Sequence, residues 1–196
     1  MPKIFPKYKE EAKKKIVQAA MTVAIRNGYQ TMTMEDVAKE VGVTKGALYV
    51  YFQNKEELFN EVLIGISKMI REAMEFSHTE GDPDTVLCRL VDQLFRMVSP
   101  NIPVFAELVS ISSRDPAVRK MIEEMLGRNT AIIENEIRAL RESGLISRDI
   151  DLHAATLEVV SISIGMGARI FLGADREETK KLWIISVKKL LMIGQE

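Results

Sequence analysis

Between Thr33 and Lys55 the chain gathers residue types that can read the surface of another molecule. Thr44, Lys45, Gly46, Tyr49 and Val50, with Tyr51 close behind, offer hydroxyls, an ammonium, a phenol and a branched apolar tip, with little negative charge. That set suits a polyanion whose edges carry donors, acceptors and methyl groups, as the major groove of double-stranded DNA does. Gly46 has no side chain to hold a duplex away. Lys55, at the exposed start of the following helix, is placed to meet a phosphate, aided by the dipole of that helix.

Catalysis finds no comparable support. The two histidines, His78 and His153, are distant from each other, and Cys88 is the only cysteine, so neither a metal site nor a disulfide framework is expected. No glycine-rich phosphate loop or nucleophile elbow occurs, and no cofactor is implied. Cys88, between Leu87 and Arg89, has no nearby base and is expected to be a small buried core residue. The chain is read as a non-enzyme.

Composition bounds the rest. A chain of 196 residues that is 46% hydrophobic and 28% charged can bury a core and stay soluble, which excludes a disordered polymer. Net charge is −1, yet it divides unevenly. Residues 1–52 hold nine Lys/Arg against five Asp/Glu, a net +4, and the remainder holds 18 against 23, a net −5. A basic block followed by an acidic one points to two tasks, the first facing a polyanion. The start, Met1-Pro2-Lys3-Ile4-Phe5-Pro6, lacks the apolar run of a signal peptide, so a soluble, cytoplasmic protein is expected.

The elements that must position the reading residues are helical. A first helix over about Tyr8–Asn27 carries Ile16, Ala19, Ala20, Val23 and Ala24 on one face and stops at Gly28. Thr33 caps a second, with Val37, Ala38 and Val41 inward and Gly42 as its stop. Thr44 caps a short third helix, Lys45 to about Phe52, and Val43 and Leu48 are expected to point inward and lock the pair. A helix, a glycine-containing turn and a short second helix make a helix-turn-helix. Asn54 and Glu57 open a fourth helix reaching about His78. Breaks follow at Glu80-Gly81-Asp82-Pro83 and Ser99-Pro100, and Asp115, Asp151 and Asp175 open later helices. Nine helices and no strand give an all-α fold, divided into 1–53, which carries the helix-turn-helix, and 54–196.

The run Ile16…Ala19-Ala20…Gly28-Tyr29…Thr33…Val37-Ala38…Val41-Gly42-Val43-Thr44-Lys45-Gly46…Leu48-Tyr49…Tyr51-Phe52…Asn54-Lys55-Glu56-Glu57-Leu58 resembles the N-terminal domain of the tetracycline-repressor (TetR/AcrR) family over about residues 8–60. The resemblance implies a dimer that binds a pseudo-palindromic operator and a variable helical C-terminal domain that binds a small-molecule effector and releases DNA. It assigns Thr33, Thr44, Lys45, Gly46, Tyr49, Tyr51 and Lys55 to DNA-contacting positions. Two departures stand out: Val50 occupies a site often aromatic or polar in relatives, which limits readout there to a thymine methyl, and Ala24 replaces a common aromatic. Lys13-Lys14-Lys15, preceded by Lys3, Lys7 and Lys9, forms a basic arm suited to phosphates.

The helix over 152–172 is apolar nearly all round and long enough to span a bilayer, but Glu158 and Arg169 interrupt it. Burial on two sides, against its own core and a second subunit, accounts for it better. In the resembled family the last two helices form a four-helix dimer interface, which implies a homodimer through 152–172 and 176–193, the latter carrying Trp183, Val187, Leu190 and Leu191. Eleven methionines exceed what a generic core requires. Met74, Met97, Met121 and Met125, with Phe95 and Phe105, are candidates for an adaptable apolar pocket, and Asn129 for a polar contact in it. An apolar or amphipathic effector is expected. The rival readings are an architectural DNA binder without an effector and a helical small-molecule-binding protein.

Overall fold

The computed structural model describes residues 6–77, 83–146 and 149–193. Lys3, His78 and the break at Glu80–Asp82 lie outside them. Among the described residues the chain forms nine α-helices and no strand: α1 Pro6–Asn27, α2 Met34–Val41, α3 Lys45–Tyr49, α4 Lys55–Ser77, α5 Pro83–Val98, α6 Ile102–Ser112, α7 Pro116–Glu142, α8 Leu152–Phe171 and α9 Arg176–Leu190. A single 3-10 turn, Ser99–Asn101, separates α5 from α6. The fold is all-α, as expected.

The helix starts are set by local hydrogen bonds. Asp115 accepts from the N–H groups of Ala117 and Val118 at 2.8 and 3.2 Å, Asp151 from His153 and Ala154 at 3.0 and 3.1 Å, and Asp175 from Glu178 at 2.7 Å. Each satisfies donors that the first helical turn leaves without a partner. Gly28, Gly42, Gly144 and Gly173 all sit at positive φ just beyond helix ends.

Packing divides the chain into two compact units, Met1–Ile66 with Pro103–Glu123, and Ser67–Ile102 with Glu124–Glu196. The first unit holds α1, α2, α3, the opening of α4, α6 and the start of α7. Its core takes Ile16, Ala20, Val23 and Ala24 from α1, Val37 and Ala38 from α2, Leu48 and Phe52 around α3, Leu58, Phe59 and Val62 from α4, and Val104 and Leu108 from α6. The spacing of three and four residues on each helix brings these side chains to one stripe.

The second unit is centred on Trp183 of α9, packed with Leu87 and Val91 of α5, Ile137 of α7, Ala155 and Val159 of α8, and Val187 and Leu191. The indole N–H donates to Ser163 Oγ at 2.9 Å, and that hydroxyl donates to the Val159 carbonyl at 2.7 Å, so the buried polar atoms form a closed relay. Lys180 of α9 pairs with Asp92 of α5, whose carboxylate raises the lysine's pKa. Cys88 departs from expectation: it is exposed. Leu87, Leu90 and Val91 take the inward positions of α5, and the helical rotation of 100° per residue turns Cys88 outward.

Trp183, Val187 and Leu191 fill this unit's own core. The apolar side chains that α8 and α9 leave uncovered are others: Leu157, Ile164 and Phe171 on α8, and Leu182 and Ile185 on α9. By length and composition alone α8 is apolar enough to cross a membrane, and so is the stretch Thr85–Ser112, which is interrupted by the 3-10 turn.

Candidate nucleic-acid interface

The second helix is fixed first. Thr33 Oγ1 accepts from the Asp36 N–H at 3.1 Å, and Asp36 Oδ2 accepts from the Thr33 N–H at 3.0 Å and its hydroxyl at 2.6 Å, a reciprocal capping box. These bonds hold the Asp36 carboxyl below the ordinary aspartate range. Thr33 is exposed, but its hydroxyl is already committed to the cap. The helix ends at Gly42, φ +80°, whose N–H donates to the carbonyls of Ala38 and Lys39, while Val43 N–H returns to Ala38 O at 3.0 Å. Only a residue without a Cβ adopts that left-handed turn readily.

Thr44 then caps α3, accepting from the Ala47 N–H at 3.2 Å. Leu48 and Phe52, four residues apart, are 0% and 1% exposed and pin the segment to the core. Val43 does not share that role: it is 41% exposed, and Leu48 is the buried side chain within α3. The helix is shorter than the sequence led us to expect, ending at Tyr49, because Tyr51 and Phe52 both return their N–H groups to the Leu48 carbonyl and close the last turn.

With Leu48 inward, Thr44, Lys45, Gly46, Tyr49 and Val50 stand outward together, and Tyr51 is half-buried beside them. No Asp or Glu occurs from Val41 to Lys55. A Cβ built at Gly46 meets no other atom within 4 Å, so the surface there is open.

Lys55 is placed otherwise than expected. Its ammonium donates to the carbonyls of Tyr29 and Gln30, both at 3.1 Å, and lies 4.6 Å from the centre of the Tyr29 ring. Two of its three N–H groups are therefore spent on the turn between α1 and α2. Glu107 holds the other side of the same turn: Oε2 accepts from Tyr29 N–H at 2.7 Å and Oε1 from Gln30 N–H at 2.9 Å. A Cβ at Gly28 would stand 3.0 Å from that carboxylate, so a glycine at φ +85° suits both the turn and the clasp. Tyr29 is buried against Phe59, ring centres 4.8 Å apart. Burial, followed by the nearby charges of Glu56, Asp115 and Glu107, pushes its phenol well above the ordinary tyrosine range.

Sequence reasoning did not find Glu107. The available signal was that it is the one charge in α6, IPVFAELVSIS. Removing it should be costly, since each bond from a backbone N–H to a carboxylate contributes about 1.5–3 kcal/mol. Glu107→Ala is expected to lower stability by about 2 kcal/mol or more, a fall in Tm of about 4–8 °C for a chain of this size, read by calorimetry. A fall below about 1 °C would show that the clasp does not hold the turn.

Of the basic arm, Lys13 is turned to the fold, 3.0 Å from Glu61 and 5.6 Å from the centre of the Phe52 ring, while Lys9, Lys14 and Lys15 are exposed. The pocket candidates fall in both units. Phe105 and Met121 belong to the first, and Met74, Phe95, Met97, Met125 and Asn129 to the second. Met74, Met121 and Met125 are buried, and the others are half-buried. Among the described residues no three His, Cys, Asp or Glu side chains come together as a metal site would require.

An all-α chain whose short, acid-free helix is held outward behind a glycine turn is a helix-turn-helix DNA-binding regulator in its class. Residues 16–62 match the family model described as "Bacterial regulatory proteins, tetR family". The chain is 31% identical over 140 residues to the helix-turn-helix transcriptional regulator YhgD of Bacillus subtilis (strain 168), covering 69% of this chain and 72% of that one. It is 28% identical over 127 residues to YfiR of the same organism, covering 63% of this chain and 62% of the relative's length. In fold it is similar to a crystal structure described as a TetR-family regulator from Rhodococcus sp., with a TM-score of 0.81 and 19% identity over 93% of this chain and 99% of that one. The protein belongs to the TetR family of transcriptional regulators and carries their helix-turn-helix DNA-binding domain.

Proposed function

We propose that the protein is a dimeric, cytoplasmic repressor that binds a pseudo-palindromic operator and leaves it when a small apolar or amphipathic effector binds. In this reading residues 1–53 form the reading head and 54–196 the effector-binding and dimerisation part. The observation that carries it is the outward face of α3: Thr44, Lys45, Gly46, Tyr49 and Val50 presented together, free of acids, on a segment anchored by Leu48 and Phe52. Such a face reads base edges from the major groove, with Val50 limited to a thymine methyl. Tyr51 serves at the margin. Thr33 and Lys55 contribute mainly by position, the one through its helix cap and the other through the turn it clasps, with one ammonium N–H left for a phosphate.

Dimerisation is supported by α8. Leu157, Ser161, Ile164, Ala168 and Phe171 are all exposed and recur at spacings of four and three residues, the seam a second helix pairs with. Two-fold symmetry would set half-site centres on the order of 10–15 bp apart. Repression rests on the family resemblance.

The test is selection of bound duplexes from a random library, then titration of the selected duplex at two salt concentrations. An enriched palindrome is expected, with affinity falling steeply as salt rises. Lys45→Ala and Tyr49→Ala should each cost about 1–3 kcal/mol in operator binding, Lys45→Ala also lowering the salt slope by about 1 if it meets a phosphate. Unchanged affinity in both variants removes α3 as the reading element.

A further inference from the structure

Halfway along α7, Arg128 and Asn129 carry polar atoms that the protein buries and leaves without partners. Arg128 Nε and Nη2 are both buried and make no hydrogen bond, and so is Asn129 Oδ1. The side chain as a whole is 30% exposed, and its far nitrogen, Nη1, lies 4.0 Å from the Glu124 carboxylate.

The two unpartnered nitrogens are a matched pair. Nε–H and Nη2–H project in parallel from one edge of the guanidinium plane, at the separation of two oxygens of a carboxylate or phosphate. Leaving one charged donor buried and unsatisfied costs a protein stability, and leaving both edge donors so is a standing penalty unless something outside the chain relieves it. Asn129 Oδ1, an acceptor, is a further buried polar atom without a partner on the same turn of α7.

Glu124 lies on one side of Arg128 on α7, and an apolar stripe lies on the other. Met125, three and four residues before the pair, is buried, and Ile132, four and three residues after, is half-buried, so helical spacing sets Arg128 and Asn129 on the flanks of a Met125–Ile132 stripe. A cationic fork at the edge of a flexible apolar stripe matches a molecule with an oxyanionic head and an apolar body.

We infer that the Nε/Nη2 edge of Arg128 is the binding site for an oxyanionic group, a carboxylate or a phosphate, carried by the effector. The inference rests on the effector-binding reading above and narrows its chemistry: the ligand is anionic rather than merely apolar.

The experiment uses the full chain and three probes: decanoate, decan-1-ol with the same tail and no charge, and inorganic phosphate. Binding is followed by calorimetry and by the shift in thermal melting, for the wild type, Arg128→Lys and Arg128→Gln. Decanoate, or phosphate if the anion alone suffices, is expected to bind the wild type, and decan-1-ol at least about 10-fold more weakly. Arg128→Lys keeps the charge but not the fork, and should lose at least about 10-fold in anion affinity, as should Arg128→Gln. The ligand-free melt of Arg128→Gln should stay level or rise, because an unpaired buried donor pair has been removed. Equal binding of decanoate and decan-1-ol, binding of neither anion, anion affinity indifferent to Arg128, or a large drop in the ligand-free melt would each overturn the site. Release of operator DNA is measured separately. Release by decan-1-ol that is indifferent to Arg128 keeps the effector reading and removes this site, whereas Arg128-dependent anion binding without release keeps the site and removes the effector reading.

Discussion

Gly46→Glu is expected to abolish operator binding while leaving the fold intact. Gly46 lies in the first turn of α3, exposed, and a Cβ there meets nothing within 4 Å. The added side chain therefore displaces no part of the protein. A glutamate is also a better helix former than glycine, by about 0.5 kcal/mol or more, and a negative charge in the first turn favours the helix dipole. Stability should stay level or rise slightly. The cost falls on the DNA side, where a carboxylate is set against base edges and phosphates that exclude it. Like charges forced together at an interface cost several kcal/mol, so the loss should exceed about 100-fold. Gly46→Ala adds the bulk without the charge and separates the two effects. Fluorescence anisotropy on the selected duplex reads the affinity and calorimetry reads the fold. Wild-type affinity in Gly46→Glu would mean that another surface touches DNA.

The parts of this interface that were legible in the sequence are those built from short-range bonds. Thr33, Thr44, Asp115, Asp151 and Asp175 each cap through a donor within three residues, so residue type and spacing announce the helix start. The outward set on α3 follows from Leu48 in the same way, by periodicity. What stayed hidden depends on partners far along the chain. Glu107 clasps backbone N–H groups 77 and 78 positions away, and Lys55 returns to carbonyls 25 and 26 positions back. Nothing in local spacing encodes either. Apolar pattern likewise told that α8 and α9 bury side chains, but not against what: Trp183 and Val187 went to their own core and left Ile164 and Ile185 outside. Val43 and Cys88 show the converse: Val43, in the turn between α2 and α3, and Cys88, on the outer face of α5, are apolar or small residues that meet solvent.

That partition between buried and uncovered apolar residues makes the dimer testable without disturbing the core. Ile164 on α8 is 42% exposed and Ile185 on α9 is 61% exposed, so Ile164→Glu combined with Ile185→Glu adds charge only where the single chain already meets solvent. The isolated fold should melt close to the wild type. In a two-fold interface each substitution appears twice, and four carboxylates would enter an apolar seam that must exclude water over about 800 Å² per partner to be stable. Desolvating even one unpaired carboxylate outweighs the contacts it replaces. Sedimentation is expected to show a dimer for the wild type and, at the same concentrations, a monomer for the double variant. A monomer brings one reading head to one half-site, so operator affinity should fall from the range of specific complexes toward that of non-specific binding, at least about 100-fold. Gly46→Glu predicts the opposite pairing, a dimer that does not bind. If the double variant remained a dimer, the seam on α8 would not be the interface. If it became a monomer yet bound the palindrome as tightly as before, the two heads would act independently, and a ligand could not control DNA binding through the geometry of the pair.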